Sequence, residues 1–323
     1  MRVLILGGTR FIGAALTRRL LVEGHEVHLV TRTAGHAAFA PAAIVHAGDR
    51  RDPATLASAT GTFDVVYDFL GFDAHDARVA IAALAGRCSR FVFLSTGSVY
   101  WVASVRNCPW VETDGTLPLR DRAECDHAEF DYGIAKRECE QAYRDAAAKD
   151  GFPAIAVRAP VVSGPGDHKK RDLYWVHRLL QGKPLILPDG GHNVFNHVYV
   201  DDLVGVLLRL ATADAEPGEA FNAADRVFTT LREYVGRLAA IVNREPRFAV
   251  VPRAAIAAAG LDDRSFYFAD TSSHVLDNRK AESRLAMSFL TPDHWMPPTV
   301  EWCRQQPLED EDARLAIEAS LAK

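Results

Sequence analysis

Apolar and polar residues alternate in two rhythms along the first half of the chain. Val3–Leu6 is a continuous apolar run of strand length; after a glycine-containing turn, Phe11–Glu23 carries Ile12, Ala15, Leu16, Leu20 and Leu21 at helical spacing. Gly24 ends that helix, as a glycine past the last helical turn commonly does. Short strands are predicted at Val27–Val30, Ile44–Val45, Val65–Tyr67, Phe91–Leu94 and Ala154–Val157, with helices between most of them, including Asp76–Leu84 and Tyr132–Lys149. Such alternation predicts an α/β fold: a Rossmann-type, doubly wound parallel sheet covered by helices on both faces.

The rhythm weakens after about residue 165. Gly164-Pro165-Gly166 reads as a loop, Tyr174–Gln181 and Asp201–Leu210 as helices, and Leu185-Ile186-Leu187 as a short strand. Thr230-Leu231-Arg232-Glu233 matches a capping box and sets a helix start near Thr230. The acidic, Ala-rich end, 308–323, is predicted to be a surface helix. These patterns divide the chain into a dinucleotide-binding domain over 1–165 and a smaller mixed substrate-binding domain over 166–323, with parts of 195–212 returning to the sheet domain.

Composition narrows the class only a little. Of the 323 residues, 48% are hydrophobic and 24% charged, which is ordinary for a globular protein. A net charge of −5 provides no global attraction to nucleic acid. The five cysteines (Cys88, Cys108, Cys125, Cys139, Cys303) form no C-x-x-C pair, which speaks against a zinc site or disulfide scaffold and fits a reducing compartment. No histidine pair has credible metal-ligand spacing, so no metal is expected. No stretch approaches the ~18 continuous apolar residues of a membrane span. The expectation is a soluble, cytoplasmic chain without membrane or nucleic-acid partners.

Two features carry chemistry. Gly7-Gly8-Thr9-Arg10-Phe11-Ile12-Gly13 joins the first strand to the first helix, where glycines permit a tight turn and the helix N-terminus presents unpaired N–H groups to a pyrophosphate. At the end of the second strand stands Thr31-Arg32, where an NAD binder usually places a carboxylate for the ribose 2′-OH. A guanidinium suits a 2′-phosphate instead, and Arg10 adds a second cation. NADP(H) is therefore preferred, with NAD(H) the alternative; Asp49 is a candidate for contacting the adenine, or simply a turn former beside Gly48. The second feature is Tyr132-Gly133-Ile134-Ala135-Lys136, in which i, i+4 spacing puts phenol and ammonium on one helix face. Of eight tyrosines, Tyr132 alone has a lysine four residues on, and a cation beside a phenol favours the phenolate. The strand Phe91–Leu94 delivers Ser95-Thr96-Gly97-Ser98 to the same sheet edge.

With glycine turn, hydroxyl cluster and Y-x-x-x-K in this order, the chain resembles the extended short-chain dehydrogenase/reductase superfamily, in its NAD-dependent epimerase/dehydratase branch. Gly48-Asp49-Arg50-Arg51-Asp52, Arg158-Ala159-Pro160 and His197-Val198-Tyr199-Val200-Asp201-Asp202 match it too, and the resemblance runs to about residue 290. It implies Tyr132 as general acid/base, Lys136 as the group that binds the nicotinamide ribose and depresses the tyrosine pKa, and Thr96 as the hydroxyl that positions the substrate oxygen, ahead of Ser95 or Ser98. It implies cofactor contacts from Gly7, Thr9, Arg10, Phe11, Ile12, Gly13, Arg32, Asp49, Arg50, Leu70, Lys136, Ala159 and Val161, and a homodimer.

Three departures shape the reading. Arg10 replaces the middle glycine of G-x-x-G-x-x-G, as in atypical members that begin G-G-T-R-F-I-G. Gly97-Ser98 stand where sugar-nucleotide 4,6-dehydratases carry Asp-Glu, which argues against dehydration. Val161-Val162-Ser163-Gly164-Pro165 replaces the Asn-Val-Tyr-Gly-Pro of nucleotide-sugar enzymes. The expected function is reduction or oxidation at a carbonyl or secondary alcohol of a small, sugar-like substrate; the alternatives are an epimerase that oxidises transiently, and a non-catalytic RNA-binding relative, since 64–71 and 174–187 look like the chloroplast stem-loop RNA-binding branch. The 101–130 stretch, with Cys108, Trp110, Glu112, Cys125, Asp126 and His127, is either a substrate lid or a variable surface loop. His168-Lys169-Lys170-Arg171 is either a phosphate contact or a solvated charge cluster.

Overall fold

Val3, Leu4, Ile5 and Leu6 are all fully buried, which only a strand covered on both faces achieves. In the computed structural model, which describes residues 1–32, 38–39, 41–105, 107–122, 127–261, 265–269, 273–307 and 312–322, this segment is β1 (Arg2–Leu6) at the middle of a seven-stranded sheet. After it come α1 (Phe11–Val22), β2 (Glu26–Thr31), β3 (Ile44–Ala47), α2 (Pro53–Ser58), β4 (Phe63–Asp68), α3 (Ala74–Leu84), β5 (Cys88–Thr96), α4 (Ser98–Trp101), α5 (His127–Asp150) and β6 (Ala154–Ala159). The later chain adds β7 (Val161–Ser163), α6 (Arg171–Leu180), β8 (Leu185–Pro188), β9 (Val194–Phe195), β10 (His197–Tyr199), α7 (Val200–Leu210), β11 (Ala220–Asn222), β12 (Thr229–Thr230), α8 (Leu231–Val242) and β13 (Phe248–Val251), then α9 (Arg253–Ala258), α10 (Arg279–Leu285), α11 (Pro292–Arg304) and α12 (Asp312–Leu321).

The sheet order is β11-β6-β5-β4-β1-β2-β3, and every pairing in it is parallel. This is the Rossmann-type α/β architecture that the sequence predicts. Its strand order reverses between β1 and β4, so a crevice opens at the carboxyl ends of the strands there. Leu16 and Leu20 of α1 and Leu203 and Leu207 of α7 share one apolar layer with Val3, Ile5 and Val65; Ala77 and Ala80 of α3 and Tyr143 of α5 share the other with Leu4, Leu6, Phe91 and Phe93. The C-terminal half supplies one sheet strand, β11, and builds a smaller layer in which β8 pairs with β13.

Local rules explain several boundaries. Thr230 Oγ1 accepts from the Glu233 N–H at 3.2 Å while the Glu233 carboxylate accepts from the Thr230 N–H at 2.8 Å, the reciprocal cap expected from the sequence. Two expectations need correction. α5 begins at His127 rather than Tyr132, which places Glu129 in its first turn. The C-terminal helix is not merely a surface element: Glu318 is buried and accepts from Arg178 of α6 at 2.9 and 3.1 Å.

Candidate active site

The glycine turn is built by close contact. Gly7 has φ +93°, and a Cβ there would lie 2.6 Å from Leu70 Cγ; at Gly13 a Cβ would lie 2.3 Å from the Gly7 carbonyl oxygen. Glycine at both positions lets α1 start directly on the strand end, with Leu70 across the turn. No side chain caps the α1 N-terminus and no acidic residue stands in its first turn. The turn therefore fits an anionic group such as a dinucleotide pyrophosphate, held by the N–H groups from Phe11 onward beside Thr9 and Ile12. Phe11 itself adopts φ +38°, a strained value for a residue with a side chain. Its ring meets the His168 ring edge-on at 6.5 Å, so the basic loop after Gly166 reaches the glycine turn.

The other cofactor candidates divide by exposure. Arg32 and Asp49, at the ends of β2 and β3, face each other at 3.6 Å on the surface, with side chains 71% and 45% exposed. Arg50 is turned the other way. Its guanidinium is buried, donates to Asp68 at 2.8 Å and lies 3.3 Å from Asp76, so its side chain braces β4 and α3 and leaves only backbone toward a ligand. Ala159 pairs in register with Thr96 and accepts from the Gly97 N–H at 2.7 Å, and Val161 opens β7 beside it. Glycine turn, Leu70, Thr96, Ala159 and Val161 thus come together on one sheet edge, with Tyr132 and Lys136 brought over it by α5.

Strand alternation sorts the three hydroxyls that follow β5. Ser95 points inward and donates to Glu140 at 2.5 Å. Thr96 Oγ1 lies 3.1 Å from Ser98 Oγ, accepts from the Ser98 backbone N–H at 3.2 Å and stands near enough to the Tyr132 phenol to lower its pKa. Ser98 in turn donates to the Glu129 carboxylate. Burial pushes the Tyr132 phenol above its ordinary value, with the Thr96 hydrogen bond and the Arg171 charge pulling the other way.

Lys136 departs from expectation. Its ammonium is buried, donates to the carbonyls of Gly71 (2.7 Å) and Leu94 (2.8 Å), and lies 4.1 Å from the centre of the Phe93 ring. Burial lowers its pKa to about 8. The tyrosine pKa is raised, not depressed as a cation directly beside the phenol would make it. What the geometry provides is a buried cation anchored one helical turn beyond Tyr132, fit to hold a cofactor's ribose and negative charge. A nicotinamide cofactor held on this edge would supply hydride exchange beside these hydroxyls.

Two site residues lacked a sequence assignment. Glu129 was legible in principle, because it stands three residues before Tyr132 on the same helix face. His274 was not, because it arrives from a distant loop. A Cβ on Gly97 would lie 2.5 Å from His274 Nε2, so this glycine makes room for the imidazole next to Thr96. The buried Nδ1 of His274 has no hydrogen-bond partner, and burial lowers its pKa to about 4, keeping the ring neutral. As for the 101–130 stretch, Trp110 is stacked on Tyr100 at 5.5 Å and its carbonyl accepts from Asn222 Nδ2 at 3.0 Å, while Glu112 accepts from the Asn222 N–H. That portion is built into the core and is not a lid; Cys125, Asp126 and the His127 side chain lie outside the described residues. Among the described residues, no cluster of His, Cys, Asp or Glu is arranged to hold a metal, and no helix is long and apolar enough to cross a membrane.

Known proteins agree with this architecture. A dTDP-glucose 4,6-dehydratase from Streptomyces venezuelae, solved with NAD, superposes with TM-score 0.76 over 95% of this chain and 98% of that one, at 23% identity. A UDP-glucose 4-epimerase from Thermotoga maritima, solved with UDP-glucose, gives TM-score 0.74 over 94% and 99%, at 21% identity. At these identities the likeness speaks for the fold alone. By sequence, the chain is 29% identical over 278 residues to the 2′-dehydrokanamycin reductase of Streptomyces kanamyceticus, covering 84% of this chain and 75% of that one. It is 28% identical over 244 residues to a chloroplast stem-loop binding protein of 41 kDa from Arabidopsis thaliana, covering 71% of this chain and 60% of the plant protein's length. Residues 3–224 match the NAD-dependent epimerase/dehydratase family, and the chain belongs to that family of enzymes.

Proposed function

We propose that this protein is an NADP(H)-dependent oxidoreductase that transfers hydride at a carbonyl or secondary alcohol of a small, sugar-like substrate, with Tyr132 as general acid/base. The observation that carries this reading is the convergence of Tyr132, Thr96 and the buried Lys136 ammonium, one helical turn from the phenol, at the carboxyl edge of the sheet. Thr96 orients the substrate oxygen, Tyr132 exchanges its proton, and Lys136 holds the cofactor ribose. The cofactor preference rests on Arg32 and Arg10 beside the glycine turn, with no carboxylate ending β2. Asp49 opposes part of that charge, so the preference for the 2′-phosphate is one of degree. The likeness to a 2′-dehydrokanamycin reductase supports reduction over epimerisation. A cytoplasmic, soluble chain with a small-molecule substrate, working as a homodimer, completes the reading.

The test joins two measurements. Calorimetry is expected to show NADPH binding more tightly than NADH, and Arg32→Ala to narrow that gap. In a carbonyl-substrate screen monitored by NADPH oxidation, Tyr132→Phe is expected to lower turnover by about 10²–10⁴-fold with cofactor affinity retained. Product formation without net NADPH consumption would instead make the protein an epimerase. Full activity in Tyr132→Phe together with salt-dependent RNA binding would overturn the catalytic reading.

A further inference from the structure

A short segment of the C-terminal half, residues 273–277, crosses the end of β5 and is pinned along its backbone. The His274 N–H donates to the Val194 carbonyl at 2.7 Å, and the Val275 carbonyl accepts from the Trp110 N–H at 2.8 Å. The Leu276 N–H and carbonyl are both matched by the buried Asn196 side chain, at 3.1 and 3.0 Å. Two side chains of this strap come down on Gly97: a Cβ on that glycine would lie 2.5 Å from His274 Nε2 and 3.2 Å from Leu276 Cδ1. Gly97 stands between Thr96 and Ser98, whose hydroxyls are 3.1 Å apart. The imidazole is therefore held one residue away from the hydroxyl assigned to the substrate oxygen.

The backbone bonds explain where the strap lies and leave the imidazole itself unexplained. Its Nδ1 is buried and has no hydrogen-bond partner, a cost that an apolar side chain would avoid. Leu276 shows that an apolar side chain fits against the same glycine. The ring is not sealed, since the residue keeps part of its surface open. A polar ring kept without a protein partner at this point calls for a ligand. Burial holds the ring neutral, so it offers one N–H donor and one lone pair. That pair of functions matches a hydroxyl, which also donates and accepts, and gives no ion pair to a carboxylate or an ammonium.

We propose that His274 is a specificity-determining residue that hydrogen-bonds a hydroxyl on the carbon next to the reacting one, so that the site selects vicinal hydroxy ketones and diols over simple ketones and alcohols. The inference rests on Thr96 and Tyr132 holding the reacting oxygen. A vicinal hydroxyl is the substrate group nearest to that oxygen, as the imidazole is the side chain nearest to the Cβ position of Gly97.

The probes are cyclohexanol and the cis and trans vicinal cyclohexanediols, added to the full-length protein in the presence of NADPH. An alcohol with reduced cofactor is a dead-end pair, so binding is read without turnover. In protein carrying isotope-labelled histidine, the His274 imidazole signals are assigned in NMR spectra by their loss in His274→Leu. At least one diol is expected to bind about tenfold more tightly than cyclohexanol and to shift those signals. His274→Leu should bring the diol to the affinity of cyclohexanol, and His274→Gln, which keeps a donor and an acceptor, should retain part of the preference. Diols that bind no more tightly than cyclohexanol, a preference that survives in His274→Leu, or His274 signals that stay still while a diol binds would each overturn the proposal. If the leucine variant does not fold, the parent and the glutamine variant decide. No hydride moves in this complex, so loss of the diol preference leaves the Tyr132→Phe turnover test standing. Failure of that turnover test, in turn, leaves the diol preference readable.

Discussion

Ser95 and Thr96 are neighbours on β5, yet they belong to two polar clusters of opposite character. On the inner face, Ser95, Glu140, Arg158, Tyr100 and Asn222 form a sealed network: Arg158 donates to Glu140 at 2.6 and 3.0 Å and to the Tyr100 hydroxyl at 2.9 Å, and Tyr100 donates to Asn222 at 2.6 Å. On the outer face, Thr96, Ser98 and Glu129 form a shorter chain beside Tyr132 that opens toward solvent. The inner network has fixed, fully matched partners and no access for a ligand, so it holds the crevice wall in place. The outer chain ends at the half-buried Glu129 and lies beside the more exposed phenol of Tyr132, so a ligand can reach it. A one-residue step along a strand, which turns a side chain through to the other face, separates architecture from chemistry.

Breaking the inner cluster should give the largest effect. Burial pushes the Glu140 carboxyl up, but the Arg158 guanidinium outweighs this and holds it at about 2. Glu140→Ala leaves Arg158 charged and unpaired, and denaturant unfolding is expected to show a loss of about 3–5 kcal/mol. The parent should hold this contribution above the ordinary glutamate range and lose it as pH falls toward 2, a dependence missing from the variant.

Lys136, between the two clusters, carries the opposite sign. Burial disfavours its ammonium, so the folded state pays the full penalty below about pH 8 and recovers it as pH rises toward the unfolded lysine value. Compared with Lys136→Met, the parent should gain about 3 kcal/mol of stability across that range. Equal pH slopes in urea titrations of the two proteins would show that the ammonium is not desolvated.

Neighbouring substitutions sharpen the comparison next. Ser95→Ala should cost about 1.5–3 kcal/mol of stability, as expected for a hydrogen bond to a buried carboxylate. Thr96→Val should stay within about 1 kcal/mol of the parent in unfolding while it depresses NADPH-dependent turnover. The reverse pattern would mean that the two faces have been assigned the wrong way round. The smallest effect is expected at His274. Replacing this imidazole, whose buried Nδ1 has no partner, in His274→Leu should leave the melting temperature unchanged or raised, by about 1 kcal/mol equivalent. A clear fall would show that the ring is a structural element.

Much of this arrangement was legible in the residues alone, and what was legible was local. Strand and helix periodicity placed the sheet elements, the capping box placed the start of α8, and the Gly7–Gly13 turn and the Tyr132–Lys136 spacing marked the site. Each rests on contacts within a few residues, where backbone geometry leaves few options. The direction of long side chains was not legible. Arg50 looked available to a cofactor but is drawn inward by Asp68 and Asp76, and Lys136 chose two carbonyls over the phenol one turn away. Such choices depend on which charges and carbonyls the fold brings within reach, and on how much burial costs a cation that fails to find them. Sequence by itself thus determined the Rossmann-type sheet, its glycine turn and the identity of the phenol. Only the tertiary structure decided which hydroxyl lies near that phenol, that Glu129 stands beside it and His274 against Gly97, and that Trp110 belongs to the core with Glu112 tied to Asn222, because desolvation and hydrogen-bond matching are settled between segments far apart in the chain.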